Sequence, residues 1–316
     1  MLTVLLATRN RAAVLRNTLE SFCRLQSPAS GWKLIVVDNG STDNTAGVLE
    51  SFAGRLPLLA VAERRLGKNV SLNTGLALVE GDLTILTDDD VFPRPDWLVQ
   101  MQRAADAQPQ YSIFGGTIVP HWGAPPPGWV WWLELSPIYT VTDPGLEEGP
   151  ISPLFIFGPN MAIRSAIFQS GGRFDGTIGP RGANYAMGSE TEFVLRLEQQ
   201  GHKAWFVRGA VVGHLVGAEH LTTAWVMRRA VRFGRGQYRL FYKELLAGAK
   251  VWRNQPIYIY REIVQEGLAA AWAWVTFKRQ SHFVARWRFN YRRGQAIAAR
   301  LVARELRAEA EASSPA

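Results

Sequence analysis

The sequence of 316 residues holds one cysteine, Cys23. That excludes a disulfide framework and leaves no thiolate pair from which to begin a zinc site. No stretch reaches 18 uninterrupted apolar residues; the nearest, Gly267 to Phe277, is 11 long and stands between Glu266 and Lys278. A membrane-spanning helix is therefore not expected. The apolar start, Met1 to Ala7, is too short for a secretory core and has no basic segment before it, so a reducing cytoplasm is the expected compartment. No Gly-x-Gly-x-x-Gly follows the first apolar run, which argues against a dinucleotide enzyme. Gly67-Lys68-Asn69 lacks the Ser or Thr of a phosphate-binding P-loop. No Gly-x-Ser-x-Gly or catalytic cysteine context provides a nucleophile.

What remains is an ordinary globular composition, 47% hydrophobic and 20% charged, with material for a sizeable core. Charge is distributed unevenly. Residues 1–223 carry 17 basic and 21 acidic side chains, residues 224–316 carry 18 and 6. A mildly acidic body precedes a strongly basic tail.

The first half alternates short apolar strands with helical spacing. Strands are expected at Leu2–Ala7, Lys33–Val37, Leu58–Ala62 and Leu83–Thr87, and helices over Ala12–Leu25, Thr45–Phe52 and Ser71–Val79. Such alternation implies right-handed crossovers and a mostly parallel α/β sheet with helices on both faces. Ligands bind such sheets beyond the strands' carboxyl ends. Polar residues gather there: Thr8 to Arg11, Asp38-Asn39, Arg64 to Lys68 and Asp88-Asp89-Asp90. Further strands are expected at Leu154–Phe157 and Ala204–Val212, with a helix over Thr191–Gln200 between them. Residues 120–153 are rich in Pro, Gly and Trp, a composition typical of long ordered loops beside a site. The expected organisation is a body at 1–223, divided at 119/120, followed by a helical, basic tail at 224–316. The last residues, from about Glu305, are expected to fray.

Three adjacent carboxylates repel one another unless a cation or several donors offset them. On an extended segment Asp88 and Asp90 point to one side, a pair suited to a hard divalent ion that also takes phosphate oxygens. The competing reading is a solvated turn that caps the following helix. Asp38, at a strand end, has the chemistry to accept from a nucleobase N–H or from ribose hydroxyls, or to close an Asx turn.

Four blocks, VLLATRNRAAVLRNTLESF, LIVVDNGSTDNT, RRLGKNVSLNTGL and LTDDDVFPRPDWL, resemble in order and spacing the nucleotide-binding half of family 2, GT-A-type glycosyltransferases. The resemblance extends over about residues 1–235 through Phe157–Ala162, Gly188–Phe193 and Val211–Val216. It implies the GT-A fold and inverting transfer of a sugar from a nucleotide diphosphate donor, most often UDP-linked, with Mn²⁺ or Mg²⁺ as cofactor. By that resemblance Asp90 and His214 are metal ligands. Asp88 and Asp89 serve the ribose or the metal's waters, and Thr8, Arg11 and Asp38 bind the nucleobase. Lys68 and Asn73 lie near the ribose and diphosphate. Gly158, Asn160 and Met161 border the sugar and acceptor pocket, where Trp132 of the Trp-rich segment is a further candidate. Glu190 is the expected general base, with Glu192 a competitor, because Ser189-Glu190 stands where the family usually shows Glu-Asp.

Arg228, Arg229, Arg232, Arg235 and Arg239 fall mostly along one helix side, and Arg286 to Arg293 interleaves rings with cations. Such helices suit an anionic membrane surface, consistent with a glycan or lipid-linked acceptor. Simple packing on the body is the second reading, and nucleic acid ranks well behind both. Alternatives to the transferase are a metal-dependent nucleotidyltransferase, disfavoured by the absence of a glycine-rich loop at Thr8 to Arg11, and a non-catalytic carbohydrate-binding scaffold.

Overall fold

A computed structural model describes residues 1–176, 178–179 and 186–312, without the side chains of residues 137 and 309–312. The chain forms two compact units: Met1–Gly123, Tyr139–Arg181 and Ser189–Val216 in one, Ala124–Ile138, Gly182–Gly188 and Gly217–Ala316 in the other. The Trp-rich segment is thus divided at Gly123/Ala124 and at Ile138/Tyr139, and the last stretch of the second unit begins seven residues before the tail expected from charge alone.

The first unit is built on β1 (Leu2–Thr8), α1 (Ala12–Phe22), β2 (Trp32–Asp38), α2 (Thr45–Phe52), β3 (Leu58–Ala62), α3 (Lys68–Leu76) and β4 (Leu83–Leu86). These follow the sequence pattern closely. The chain continues through β5 (Val91–Pro93), α4 (Trp97–Ala107), β6 (Ile113–Trp122), α5 (Ser136–Tyr139), β7 (Gly149–Ile151), β8 (Met161–Arg164), α6 (Ser165–Gln169), α7 (Ser189–Gln199) and β9 (Ala204–Val216). The sheet order is β3-β2-β1-β4-β8-β6-β9-β5, with β7 paired to β9. β1, β2, β3 and β4 run parallel, as do β6 and β9, while β8 lies antiparallel between β4 and β6.

The central apolar runs become strands because helices cover them, while β3 at the sheet edge stays partly exposed. Leu5, Ile35, Val37, Leu86, Met161 and Ile163 from the strands meet Leu72, Leu76, Phe168, Phe193 and Val194 from the helices in one buried cluster. Leu154–Phe157 departs from the expected strand: Pro153–Phe155 is a single 3₁₀ turn, started by Ser152, whose hydroxyl accepts from Leu154 N.

In the second unit α8 (Thr223–Leu246), a small hairpin of β10 (Val251–Trp252) and β11 (Gln255–Pro256), α9 (Ile257–Val275) and α10 (Arg279–Ala312) surround a separate core of Tyr238, Ile259, Ala299 and Val302. α8 and α10 cross at near contact of their backbones. A Cβ at Gly234 would stand 2.0 Å from the Tyr291 carbonyl oxygen, and one at Gly294 2.1 Å from that of Val231. Trp287 and Tyr291 stack on each other and meet Phe233 of α8, so two rings of the basic-aromatic run are packing groups. Arg292 pairs with Glu262 at 2.7 Å.

Candidate functional site

The site forms at one sheet edge, where β1 and β4 end and β8 begins. After β4 the chain enters a turn at Asp89 and Asp90, and the three carboxylates are divided among different partners. Asp89 turns inward and is buried. Its oxygens accept from Thr8 Oγ1 at 2.6 Å and Arg11 Nη1 at 2.5 Å, and its carbonyl accepts from Thr18. Burial pushes Asp89 up to about 6 despite the Arg11 charge. Arg11 also donates to Asp90 Oδ2 at 2.9 Å. Thr8 and Arg11 were expected to bind a nucleobase; here they brace the acidic cluster. Asp89, expected at the ribose or at a metal's waters, is likewise fully engaged by the protein.

Asp88 turns to Lys68, and Asp90 lies between Arg11 and His214. Pairing of β5 with β9 sets His214 opposite Val91, which brings its Nε2 to 3.5 Å from Asp90 Oδ1. The other ring nitrogen, Nδ1, lies 2.8 Å from the Tyr139 carbonyl. A carbonyl only accepts, so Nδ1 bears the hydrogen and Nε2 of the neutral ring presents a lone pair to Asp90. Asp90 Oδ1 is buried and has no hydrogen-bond partner. A buried carboxylate oxygen without a hydrogen-bond partner, set beside an imidazole nitrogen that the neutral ring can offer as a ligand, fits a bound cation. Asp88, Asp90 and His214 each offer a ligand atom, all within 4.8 Å of one another. Carboxylate oxygens with one imidazole suit Mn²⁺, with Mg²⁺ a poorer match to the nitrogen. Burial would raise Asp90, but the facing His214, Arg11 and Lys68 outweigh it and leave this carboxyl below its usual range.

Lys68 opens α3, three residues earlier than the expected helix start. Gly67 before it has φ +140°, and its N–H donates to Asn39 Oδ1, a backbone geometry that favours glycine. The ammonium lies 2.6 Å from Asp88 Oδ1 and 2.8 Å from Glu190 Oε1. It therefore ties the strand-end acid to the first turn of α7. Ser189 donates to the other oxygen of Glu190 at 2.6 Å. Burial opposes the charge on Glu190, yet Lys68 and the Ser189 hydroxyl hold it down at about 2. Gly158 lies directly against this carboxylate. Glu192, the competitor, forms a bidentate pair with Arg196 of its own helix.

Other expected site residues are engaged elsewhere. Asn73 clamps the Phe174 backbone, donating to its carbonyl at 2.8 Å and accepting from its N–H at 2.9 Å. Asn160 and Met161, expected at a sugar or acceptor pocket, are fully buried. Asn160 accepts from Trp97 Nε1 and donates to the carbonyls of Thr117 and Ala210. It is a core polar junction whose hydrogen bonds go to protein. Asp38 accepts from Ser41 N at 3.0 Å, an Asx turn. Trp132 belongs to the other unit, where its ring meets Phe283 edge-on and Trp129 packs on the same phenylalanine.

Sequence reasoning missed Glu63, Asn39 and Ser189. Glu63 accepts from the Arg65 guanidinium, the Arg65 N–H and Thr74, and Asn39 donates to the carbonyls of Glu63 and Arg65. Together they fix the loop that delivers Lys68. The polar cluster Arg64 to Lys68 was visible in the sequence; the partners that order it lie a strand away.

The family model described as Glycosyl transferase family 2 matches residues 3–171. The glucosyl-dolichyl phosphate glucuronosyltransferase of Haloferax volcanii is 24% identical over 205 residues, 63% of this chain and 64% of that protein. The chain thus spans less than two thirds of the length of the curated relatives it first matches. Among solved structures, the mannosyltransferase PcManGT from Pyrobaculum calidifontis, in complex with GDP-Man and Mn²⁺, aligns with TM-score 0.57 at 20% identity, covering 98% of this chain and 79% of that one. S. aureus TarS 1-349 in complex with UDP-GlcNAc aligns with TM-score 0.55 at 13% identity, covering 93% and 90%. At these identities the likeness shows the shared fold.

Proposed function

Because the chain belongs to glycosyl transferase family 2, we propose that it transfers a sugar, with inversion, from a nucleoside diphosphate sugar to a hydroxyl of a glycan or lipid-linked acceptor at a cytoplasmic membrane surface. The observation that carries this reading is the facing pair of Asp90 Oδ1 and His214 Nε2, beside a lysine shared between Asp88 and Glu190. The glucuronosyltransferase relative, named for a dolichyl phosphate substrate, supports the lipid-linked acceptor. Neighbours with GDP-Man and with UDP-GlcNAc leave uridine and guanosine donors both in view, with UDP the expected one.

In this reading Asp88, Asp90 and His214 hold a divalent cation. Such an ion, when bound, supplies positive charge to the leaving diphosphate. Lys68 exchanges its bond to Asp88 for a phosphate oxygen and so loosens its hold on Glu190. Glu190 then takes the proton from the acceptor hydroxyl as that oxygen bonds to the anomeric carbon on the face opposite the diphosphate. The carbon–oxygen bond to the diphosphate breaks, and its electron pair leaves with the phosphate. Arg11 and Thr8 brace the acidic turn through Asp89 and Asp90 and so hold it beside Asp88.

Titration calorimetry with UDP and GDP, with and without Mn²⁺, tests the donor site, and donor turnover by Glu190→Gln tests the base. The expected result is metal-dependent binding of one diphosphate, unchanged in Glu190→Gln, with turnover lowered about 10²–10⁴-fold. Binding of neither diphosphate with Mn²⁺ or Mg²⁺ overturns the donor-site reading.

A further inference from the structure

α9 is apolar on two sides. Its inner side packs Ile259, Ala270 and Ala273 into the second unit. Its outer side, where a helix on a water-facing surface carries polar residues, presents Val264, Leu268, Trp272 and Val275 at spacings of three and four residues. Val264, Leu268 and Trp272 are 60–67% exposed. Trp274 is as open as Trp272, and Phe277 in the following turn is 90% exposed. The acids of α9 point elsewhere: Glu262 is held by Arg292 and Glu266 lies on the helix side away from this stripe.

The turn that displays Phe277 is well made. Phe277 N donates to Trp274 O and Lys278 N to Ala273 O, the paired bonds of a Schellman ending whose left-handed position glycine usually fills. Phe277 occupies it with φ +57°. A large ring is thus held fully in the open at a backbone position that disfavours side chains. Lys278 and Arg279 follow immediately, both exposed, and Arg286 and Arg288 are exposed on α10.

The geometry points to this α9–α10 hairpin as a membrane-docking surface whose rings enter the headgroup region of an anionic bilayer while the adjacent cations meet lipid phosphates. Charge favours that partner, since residues 224–316 hold 18 basic and 6 acidic side chains. Tryptophan beside basic residues suits the boundary between headgroups and acyl chains. Among the described residues no helix is long and apolar enough to cross a membrane, so the hairpin lies on the bilayer. The inference rests on the reading of a membrane-borne acceptor, and it moves the contact from the Arg286–Arg293 run, whose Trp287 and Tyr291 pack on Phe233, to α9 and its turn.

The test is co-sedimentation of the full chain with phosphatidylcholine vesicles, with and without phosphatidylglycerol. The parent is compared with the triple variant Trp272→Ser, Trp274→Ser, Phe277→Gly; glycine suits the left-handed position, so the turn is kept. Manganese-dependent nucleotide binding is measured on both proteins as the control for folding and for the donor site. The expected result is binding of the parent to phosphatidylglycerol vesicles and at least a tenfold lower partition of the variant, roughly the effect of removing three interfacial rings, with nucleotide binding equal in both. Equal vesicle binding by the variant overturns the proposal, as does a parent that binds neither vesicle. Self-association of the parent that the variant abolishes, without vesicle binding, also overturns it and makes the patch an interface between copies. Loss of nucleotide binding in the parent defeats the transferase reading separately.

Discussion

Gly158 lies so close to Glu190 that a Cβ on it would stand 2.8 Å from both Cγ and Oε1 of the glutamate. The chain entering β8 therefore forms the wall against which the carboxylate is set, and the absence of a side chain there determines the carboxylate's position. Gly158→Ala is expected to displace Glu190 and lower turnover about 10²-fold, the cost typical of a misplacement near 1 Å. Nucleotide affinity stays unchanged, and steady-state kinetics beside calorimetry check the split.

His214 and Asp90 are expected to act together on metal. A cation at a hundred times its Kd stabilises the fold by about 2.7 kcal/mol, a rise in Tm of about 4 °C for a chain of 316 residues. Thermal unfolding with Mn²⁺ is expected to show that rise in the parent and to lose most of it in His214→Ala and Asp90→Asn. An undiminished shift in both variants would place the metal elsewhere.

Asn160 has a structural role that can be separated from binding. Asn160→Ala leaves Trp97 Nε1 and the carbonyls of Thr117 and Ala210 without their partner in a buried place. The expected loss is about 3 kcal/mol in urea unfolding, with nucleotide affinity of the folded protein unchanged.

Glu63 gives the fold a pH dependence of known sign. The Arg65 guanidinium, Thr74 and the Arg65 N–H hold its carboxyl at about 2, below the ordinary 4.5. A carboxyl depressed on folding stabilises the native state above its unfolded value, and that contribution fades as pH falls through the folded one. Urea midpoints of the parent and Glu63→Gln should therefore differ at pH 6 and converge as pH drops from about 4.5 towards 2. A difference that is constant with pH would remove the ion pair as its cause.

The β/α alternation of the first 90 residues was legible because each strand is an apolar run and each helix has one apolar face. α4 carries the same signal in Trp97, Leu98, Met101 and Ala105, and the sequence reading went no further than a helix following the acidic turn. Leu154–Phe157 misled because short apolar runs fit a strand or a turn equally, and Pro153 with Ser152 decided for the turn. In the site, Asp88 and Asp90 stood out by their strand-end position, whereas His214 and Glu190 were named through the family resemblance alone. The engagement of Thr8 and Arg11 with Asp89 could not be foreseen, since it joins residues 81 and 78 positions apart. Asn160 shows the same limit: an amide in a core junction and an amide in a pocket look alike until burial is known.

One strand running against its neighbours has a consequence for how this architecture can change. β8 starts at the edge where β4 stops, β6 runs past that same edge, and the chain between them rejoins the sheet at β7, beside the start of β9. Closing such a loop costs free energy that grows only with the logarithm of its length. The strands that set the acids and the glycine at the rim are thus indifferent to how long or how elaborate the connection becomes. The pairing of β4 with β8 holds the acids and the glycine in register whatever the length of chain between β6 and β7.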